Sequence, residues 1–215
     1  MEIIVKRFIH LLLEENKKQN LVSRKTGPEE IEKHIQDSIQ VLDWVPLEGL
    51  DVIDIGSGAG FPGLVLAIVC PQSRLTLVES DLKKSDFLHF VGKELGLDNL
   101  RVIRERVEIL GQSKQHRASY DVCTSRAVAA MRVVLEYGIP LLKPGGKVLL
   151  WKGSSYQQEI TEAEVALEIL GGKIKDVFSY NLMQERDRVI VAVEKVRRTP
   201  AKYPRRVGTP AKIPL

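Results

Sequence analysis

The sequence predicts an α/β protein with a doubly wound sheet, and two observations point to it. The apolar run from Val52 to Ile55 leads directly into closely spaced glycines and then Pro62, which is the order of a strand, a tight turn and a helix. After that turn, β-favouring runs alternate with segments of helical periodicity. Such alternation is typical of parallel sheets with crossover helices.

Two helices are expected before the sheet. The first runs from about Ile3 to Gln19, where apolar residues form a stripe beside a charged face. The second starts at Pro28 and runs to about Asp43. Because neither belongs to the alternating pattern, residues 1–46 are expected to form an N-terminal helical extension, followed by a sheet domain at 47–194 and a tail at 195–215.

Strands and helices then alternate along the sheet domain. The expected helices cover about 62–69, 81–95, 127–142 and 157–170. The strands between them cover about 74–79, 101–103, 120–123 and 147–151. The last two strands, about 173–180 and 188–194, are joined by a short polar loop and not by a helix, so they form a hairpin. This hairpin places one antiparallel strand at the edge of a Rossmann-like sheet.

The glycine-rich turn is predicted to bind a cofactor. Gly56, Gly58 and Gly60 allow positive φ angles and a close approach of the backbone to a ligand. Asp54, just before the first glycine, would repel a pyrophosphate and suits an ammonium group. Glu79 ends the next strand, where a carboxylate can accept hydrogen bonds from both ribose hydroxyls. A ligand with an adenosine ribose and a positively charged amino-acid end is S-adenosylmethionine, which we favour over NAD or FAD.

Composition indicates an ordinary globular chain. Its 215 residues suffice for one α/β domain with an extension. Cys70 and Cys123 both lie in apolar runs, and no disulfide framework is expected. No apolar run approaches the ~20 residues that span a bilayer. We therefore expect a cytoplasmic monomer without membrane association, and no bound metal.

The positive charge is concentrated after Glu194. The formal net charge is +4, whereas residues 195–215 contain no acidic residue and carry +7, which leaves −3 for residues 1–194. The basic side chains of this tail are Lys195, Arg197, Arg198, Lys202, Arg205, Arg206 and Lys212. Its four prolines disfavour regular structure. We expect a basic, irregular tail that contacts a polyanion.

Six separated motifs resemble one family over nearly the whole chain. They are Asn20-Leu21-Val22-Ser23, His34-Ile35-Gln36-Asp37-Ser38, the turn from Asp54 to Gly63, Ser125-Arg126-Ala127, Trp151-Lys152-Gly153 and the segment from Tyr203 to Pro210. In this order they resemble the RsmG family, also called GidB. The resemblance implies a class I S-adenosylmethionine-dependent methyltransferase that modifies N7 of a guanine in 16S ribosomal RNA near the decoding site. The implied partner is 16S RNA or the small ribosomal subunit, which makes RNA the polyanion.

The resemblance also assigns roles to single residues. Phe61, Val107 and Glu108 are implied to lie at the cofactor, although from sequence alone Glu108 is only an exposed helix acid. Arg126 is implied to lie beside the cofactor and the incoming base. Lys152 and Arg188 are implied to hold RNA phosphate or the guanine O6 atom, and with Arg126 they form the predicted catalytic set.

Residues near these positions carry alternative interpretations. Ser80 and Asp81, just past the second strand, are predicted cofactor residues that could instead cap the next helix. His34 shares a helix face with Asp37 and Ser38. A single histidine on a half-apolar helix is more often structural, and we leave it outside the catalytic set.

The expected chemistry needs no general base. N7 of guanine has an in-plane lone pair and no proton, so it can attack the methyl group directly. The alternative of a cytosine-C5 methyltransferase would need a thiolate such as Cys123, whose apolar surroundings favour an inert thiol. Two other classes stay open, namely a cofactor-bound RNA-binding or assembly factor without turnover and an NAD-dependent oxidoreductase.

Overall fold

The computed structural model describes residues 2–182 and 185–215. Its strands are β1 (Asp51–Ile55), β2 (Arg74–Val78), β3 (Leu100–Ile103), β4 (Tyr120–Arg126), β5 (Leu142–Lys152), β6 (Gly172–Leu182) and β7 (Glu185–Lys195). Within the described residues they form one seven-stranded sheet in the order β3-β2-β1-β4-β5-β7-β6. Neighbours among β1 to β5 pair in parallel, which confirms the predicted doubly wound architecture.

The terminal hairpin is present, with a detail that differs from the prediction. β7 pairs antiparallel with both β5 and β6. The antiparallel strand therefore lies one position in from the edge, because β6 covers its outer side. The polar loop predicted between the two strands includes residues 183 and 184, which lie outside the described residues.

Helices cover both faces of the sheet. They are α1 (Glu2–Asn16), α2 (Pro28–Ile39), α3 (Gly63–Val69), α4 (Leu82–Glu94), α5 (Val107–Gln112), α6 (Met131–Gly138), α7 (Tyr156–Glu162), α8 (Glu164–Leu170) and α9 (Thr209–Lys212). Short 3₁₀ segments follow α2 at Gln40–Asp43 and α6 at Ile139–Leu141. No helix in the described part of the chain is long and apolar enough to cross a membrane.

Several predicted boundaries are wrong for local reasons. α1 ends at Asn16 and not at Gln19, because the Asn16 side chain accepts hydrogen bonds from the amides of Leu21 and Val22 and closes the turn there. The helix predicted at 127–142 is shorter, because a loop with Ala127 at a φ of +56° precedes α6, a 3₁₀ segment follows it, and β5 begins at residue 142. The helix predicted at 157–170 is divided at residue 163 into α7 and α8.

One crossover helix escapes prediction. No helix range is predicted between the third and fourth strands, although Glu108 is interpreted as a helix acid there, and α5 occupies six residues of this interval. It is too short to show a helical period, and it contains Gly111, which weakens the signal further. This helix completes the crossover that a parallel sheet requires.

The N-terminal extension shares its core with the sheet domain. Phe8 and Leu12 of α1 and Ile31 of α2 are fully buried together with Leu64 of α3 and Leu88 of α4. The two N-terminal helices therefore pack against α3 and α4, and Ala59 and Phe61 of the turn after β1 belong to the same cluster. We propose that the chain is organised in the three segments predicted from the sequence, namely residues 1–46, 47–194 and 195–215.

Candidate active site

Two cavities open at the edge where the parallel strands end. The smaller has a volume of about 260 Å³ and the larger of about 1160 Å³. Val128 and Ala129, in the loop after β4, line both cavities, so the two are adjacent. Open α/β sheets bind their ligands at this edge, and the two cavities are the candidate sites for two reactants.

The three glycines of the turn differ in what a side chain at each position would contact. Gly56 has a φ of +70°, and a Cβ there would lie 2.5 Å from the Cγ2 atom of Val128. Gly60 has a φ of +102°, and its Cβ would lie 2.8 Å from that of Leu64 in α3. Gly58 also has a positive φ, but the nearest atom to a Cβ there is 3.9 Å away. The first and third glycines permit close packing, whereas the second borders open space.

The smaller cavity brings together part of the predicted cofactor set. Gly56, Glu79, Ser80 and Val107 line it. The other residues of its walls are Ile55, Val78, Glu105, Arg106, Val128, Ala129, Tyr137 and Ala211. The cavity therefore combines polar groups from the ends of β1 and β2, and from Glu105 and Arg106, with apolar wall residues, a mixture that suits adenosine.

Asp54 lies beneath the turn and lines neither cavity. Its side chain is 1% exposed, and Oδ1 accepts a hydrogen bond of 2.7 Å from the Thr124 hydroxyl. Oδ2 has no hydrogen-bond partner of good geometry among the described residues. Burial raises the pKa of this carboxyl to about 6. In this structure the charge of Asp54 would act on an ammonium group across the turn and not by contact.

Glu79 ties the glycine turn to the end of β2. Its Oε2 atom accepts a hydrogen bond of 2.9 Å from the Gly58 amide, and Oε1 accepts one of 2.9 Å from the Asp81 amide. The side chain of Asp81 in turn accepts from the Lys84 amide and caps α4. Asp81 thus has the capping role weighed above, while the exposed Ser80 lines the cavity.

Glu108 faces the C-terminal segment and not the cavity. Its Oε1 atom accepts hydrogen bonds from Arg106 Nη2 at 3.0 Å and from the Gly208 amide at 2.9 Å. Glu108 is 2% exposed, so its interpretation as an exposed acid is wrong. Although burial opposes ionisation, these hydrogen bonds keep the pKa of Glu108 below its usual range. The carboxylate clamps the tail, and its neighbour Val107 provides the surface that lines the cavity.

The three predicted cations meet in the larger cavity. Arg126, Lys152 and Arg188 all line it. Arg126 pairs in register with Trp151, and Lys152 pairs with Val189, so three adjacent strands bring the cations to one edge. The structure thus assembles the whole predicted catalytic set around one space.

Asp37 of α2 holds two of these cations. Its carboxylate is 1% exposed and contacts Arg126 Nη1 at 2.8 Å and Arg188 Nη1 at 3.3 Å. The Tyr180 hydroxyl donates to Asp37 Oδ1 at 2.8 Å, and the Trp151 indole N–H donates to the Asp37 backbone carbonyl at 2.8 Å. Burial and the neighbouring Asp37 charge raise the pKa of Tyr180, which stays protonated as the donor. Asp37, in the N-terminal extension, therefore fixes the positions of Arg126 and Arg188 in the larger cavity.

Lys152 is held by a second carboxylate. Glu159 Oε2 lies 2.7 Å from the Lys152 ammonium and also accepts a hydrogen bond of 2.7 Å from the Met131 amide. The ammonium donates in addition to the Ala129 carbonyl at 3.2 Å. Since Ala129 borders both cavities, this ion pair lies close to their junction.

Phe61 packs behind Arg126 and lines neither cavity. Its ring centroid lies 5.7 Å from that of Phe8 and 5.3 Å from that of His34. The Arg126 guanidinium lies over the same ring at 5.0 Å, a cation–π contact. Burial, followed by the Arg126 charge, lowers the pKa of His34, which lines the larger cavity. The contact that Phe61 makes with the larger cavity is therefore indirect, through Arg126 and His34.

The larger cavity is also lined by side chains that were not in the predicted set. Among them are the polar residues Asp37, Tyr180 and Glu159. Asp37 shares a helix face with His34, which we leave outside the catalytic set, and this face contributes the carboxylate that contacts Arg126 and Arg188. Tyr180 lies 143 residues from Asp37, and no local pattern links the two.

The basic tail is packed onto the protein along much of its length. Lys195 is 4% exposed and donates to the carbonyls of Ile139 and Leu142 at 3.0 and 2.8 Å, so it cannot contact a phosphate in this structure. Burial lowers its pKa to about 8. Arg205 is paired with the buried Glu136 at 2.6 Å. Exposed cations of the tail are Arg197, Arg198, Lys202, Arg206 and Lys212.

Cys123 is an inert thiol in this structure. It is fully buried in β4, and burial strongly raises its pKa. Nucleophilic attack needs the thiolate, which this environment disfavours. Among the described residues, no cluster of three or more His, Cys, Asp or Glu side chains could hold a metal ion.

Solved structures share the fold at low sequence identity. A SAM-dependent methyltransferase from Aquifex aeolicus superposes with a TM-score of 0.59 at 16% identity, covering 80% of this chain and 100% of that chain. TYW2 from M. jannaschii, in complex with AdoMet, gives a TM-score of 0.60 at 15% identity, covering 80% and 79%. These similarities show the fold.

Sequence comparisons identify the family. A protein from Syntrophomonas wolfei subsp. wolfei, described as ribosomal RNA small subunit methyltransferase G, is 60% identical over 215 residues, all of both chains. A relative of the same description from Carboxydothermus hydrogenoformans is 44% identical over 213 residues, covering 99% of this chain and 91% of the relative. The GidB family model, described as rRNA small subunit methyltransferase G, matches residues 2–190. The chain belongs to the GidB family of rRNA small subunit methyltransferases.

Proposed function

We propose that the protein transfers the methyl group of S-adenosyl-L-methionine to N7 of a guanine in 16S ribosomal RNA. Beside family membership, one observation supports this proposal: two cavities of different character adjoin at Val128 and Ala129. The smaller has the glycine turn and a carboxylate at strand ends. The larger has three cations that suit a phosphate and a base oxygen. Adjacent sites for donor and acceptor are what a direct transfer requires.

The residues of the smaller cavity fit this cofactor. Gly56 lines the cavity at the end of β1, and Glu79 stands at the end of β2, where a ribose is held in such folds. Asp54 supplies buried negative charge beneath the turn. S-adenosylmethionine, when bound, supplies an electrophilic methyl group on a sulfonium. Gly56, Glu79, Ser80 and Val107 would hold it.

The acceptor side fits a base that has no proton to lose. Asp37 is engaged by Arg126, Tyr180 and Arg188, and Glu159 is engaged by Lys152 and an amide. Both carboxylates thus serve as partners of the cations that line the cavity. N7 of guanine attacks with its own lone pair, so the role left to the protein is to align the base and exclude water.

RNA would enter the larger cavity as an unpaired or extruded nucleotide. N7 lies in the deep, narrow major groove of an RNA helix, where a protein cannot reach it. The exposed cations of the tail, which include Arg206 and Lys212, would contact RNA phosphates and would not distinguish between base sequences. We further propose that the protein acts as a monomer in the cytoplasm, on 16S RNA or the small ribosomal subunit.

Nucleoside analysis tests the proposal. The protein is incubated with labelled S-adenosylmethionine and small-subunit RNA from cells that lack it, and the RNA is digested to nucleosides. We expect the label in 7-methylguanosine. Label in 5-methylcytidine, lost in a Cys123→Ala variant, would instead assign a thiol mechanism. RNA binding without any transferred label would support a non-catalytic assembly factor.

A further inference from the structure

The Lys152 and Glu159 pair offers a donor and an acceptor side by side at the wall of the larger cavity. Their side chains are 11% and 21% exposed, and the ammonium and Oε2 are 2.7 Å apart. Both side-chain contacts of Glu159 are made through Oε2. Oε1 accepts no hydrogen bond from the described part of the chain. One carboxylate oxygen of a half-buried ion pair is thus available to a ligand in the cavity.

This arrangement matches one edge of one purine. Guanine presents the acceptor O6 beside the donors N1–H and N2–H₂, whereas adenine presents a donor beside an acceptor in the corresponding places. An ammonium facing O6 and a carboxylate oxygen facing N1–H and the N2 amino group would satisfy guanine and oppose adenine. N7 lies on the other side of O6, so this contact leaves the methylated atom free.

We propose that Glu159 selects guanine by accepting hydrogen bonds from N1–H and the N2 amino group while Lys152 donates to O6. The proposal deepens the proposed function and rests on it. The position of the pair agrees, because Lys152 also donates to the backbone carbonyl of Ala129, a residue that borders the cofactor cavity. A base held by this pair therefore lies next to the place where the methyl donor is expected.

Glu159 also makes a structural contact, and the test must distinguish its loss from the loss of a contact to the base. Its Oε2 accepts from the amide of Met131, the first residue of α6, and so caps that helix. Loss of activity in a Glu159 variant would follow from either role. The ratio of kcat/KM for two bases, measured with the same variant, does not depend on the fraction of folded protein. A change in this ratio therefore reports contact with the base.

The experiment compares guanosine with inosine, which lacks only the N2 amino group. Small-subunit particles are reconstituted with 16S RNA that carries either nucleoside at the methylated position, and kcat/KM is measured for each. For the wild-type protein we expect inosine to be methylated roughly ten- to a hundredfold less efficiently, the effect of one hydrogen bond to a charged group.

Variants then assign the discrimination to one side chain. In Glu159→Gln, an amide that accepts from Met131 turns its NH₂ toward the base donors, so we expect the guanosine-to-inosine ratio to fall to about one or below. Glu159→Ala should also give a ratio near one. Glu162→Gln is the matched control, because Glu162 is exposed on the same helix and bonds only Gln158 among the described residues; its ratio should equal that of the wild type.

The outcomes distinguish a failure of the role proposed for Glu159 from a failure of the proposed function. An unchanged ratio in both Glu159 variants, or a wild-type protein that methylates inosine as well as guanosine, would overturn the role of Glu159. In both cases 7-methylguanosine is still formed and the proposed function stands. Absence of 7-methylguanosine from the wild-type reaction would contradict the proposed function itself.

Discussion

Replacing Asp37 by asparagine should damage both the fold and the substrate side. The carboxylate is 1% exposed and faces two guanidinium groups. The asparagine amide would be neutral, so Arg126, whose side chain is 14% exposed, would lose its anion in a poorly solvated place. Removing one partner of a buried ion pair costs about 3–5 kcal/mol. The lower end applies here, because the Arg188 side chain is 36% exposed and an amide oxygen can still accept from Tyr180.

Urea unfolding measures the first effect of Asp37→Asn. We expect the free energy of unfolding to fall by about 3 kcal/mol without a change in the m-value. Methyl transfer by the folded fraction should fall by roughly a hundredfold, because displaced arginines no longer align the base. Asp43→Asn, at an exposed position just after α2, is the control and should stay within about 0.5 kcal/mol of the wild type. A loss below about 1 kcal/mol with full turnover would refute Asp37 as the organising carboxylate.

Three further predictions concern the turn, the buried acid and the tail. Gly56→Ala should weaken S-adenosylmethionine binding at least roughly tenfold in calorimetry through its clash, whereas Gly49→Ala, at a similar positive φ in open space, should leave the affinity unchanged. The pKa of Asp54 is raised from 3.8 to about 6 in the folded protein, so the protonated carboxyl favours folding. The free energy of unfolding should therefore decline by about 3 kcal/mol as the pH rises from about 4 to about 6. Melting curves of Asp54→Asn at these pH values should lack that decline. Arg206→Ala should lower the slope of the logarithm of the RNA-binding constant against the logarithm of the salt concentration by roughly one. Lys195→Met is the control and should leave the slope unchanged, since the Lys195 ammonium is buried. Equal slopes in Arg206→Ala and the wild type would show that Arg206 does not contact RNA.

The sequence predicts the arrangement of the sheet because its signals are local. The run before Gly56 and the placement of Pro62 define a strand, a turn and a helix within about a dozen residues. Arg126 and Lys152 could be placed at one edge for the same reason, since they end β4 and β5. Arg188 begins the predicted last strand, whereas β7 already begins at Glu185, so its position near this edge was predicted with the strand boundary wrong by three residues.

Side-chain partners across the fold were beyond prediction. Asp37 meets Arg126 and Tyr180 only because α2 packs over the ends of strands that follow much later in the chain. Lys195 has the same charge as its neighbours in the tail, and only the packing of β7 against the 3₁₀ segment at Ile139–Leu141 buries it. Glu108 illustrates the same limit, because its partner amide is 100 residues away.

Chemical cleavage of methylated RNA tests the central claim most directly. Methylation at N7 leaves a fixed positive charge on guanine, which opens the imidazole ring to reduction and makes the strand cleavable with aniline. After incubation with the protein and S-adenosylmethionine, 16S RNA should break at one guanine, and omission of either component should abolish the break. Transfer of a labelled methyl group to the RNA without any cleavable guanine would contradict methylation at N7.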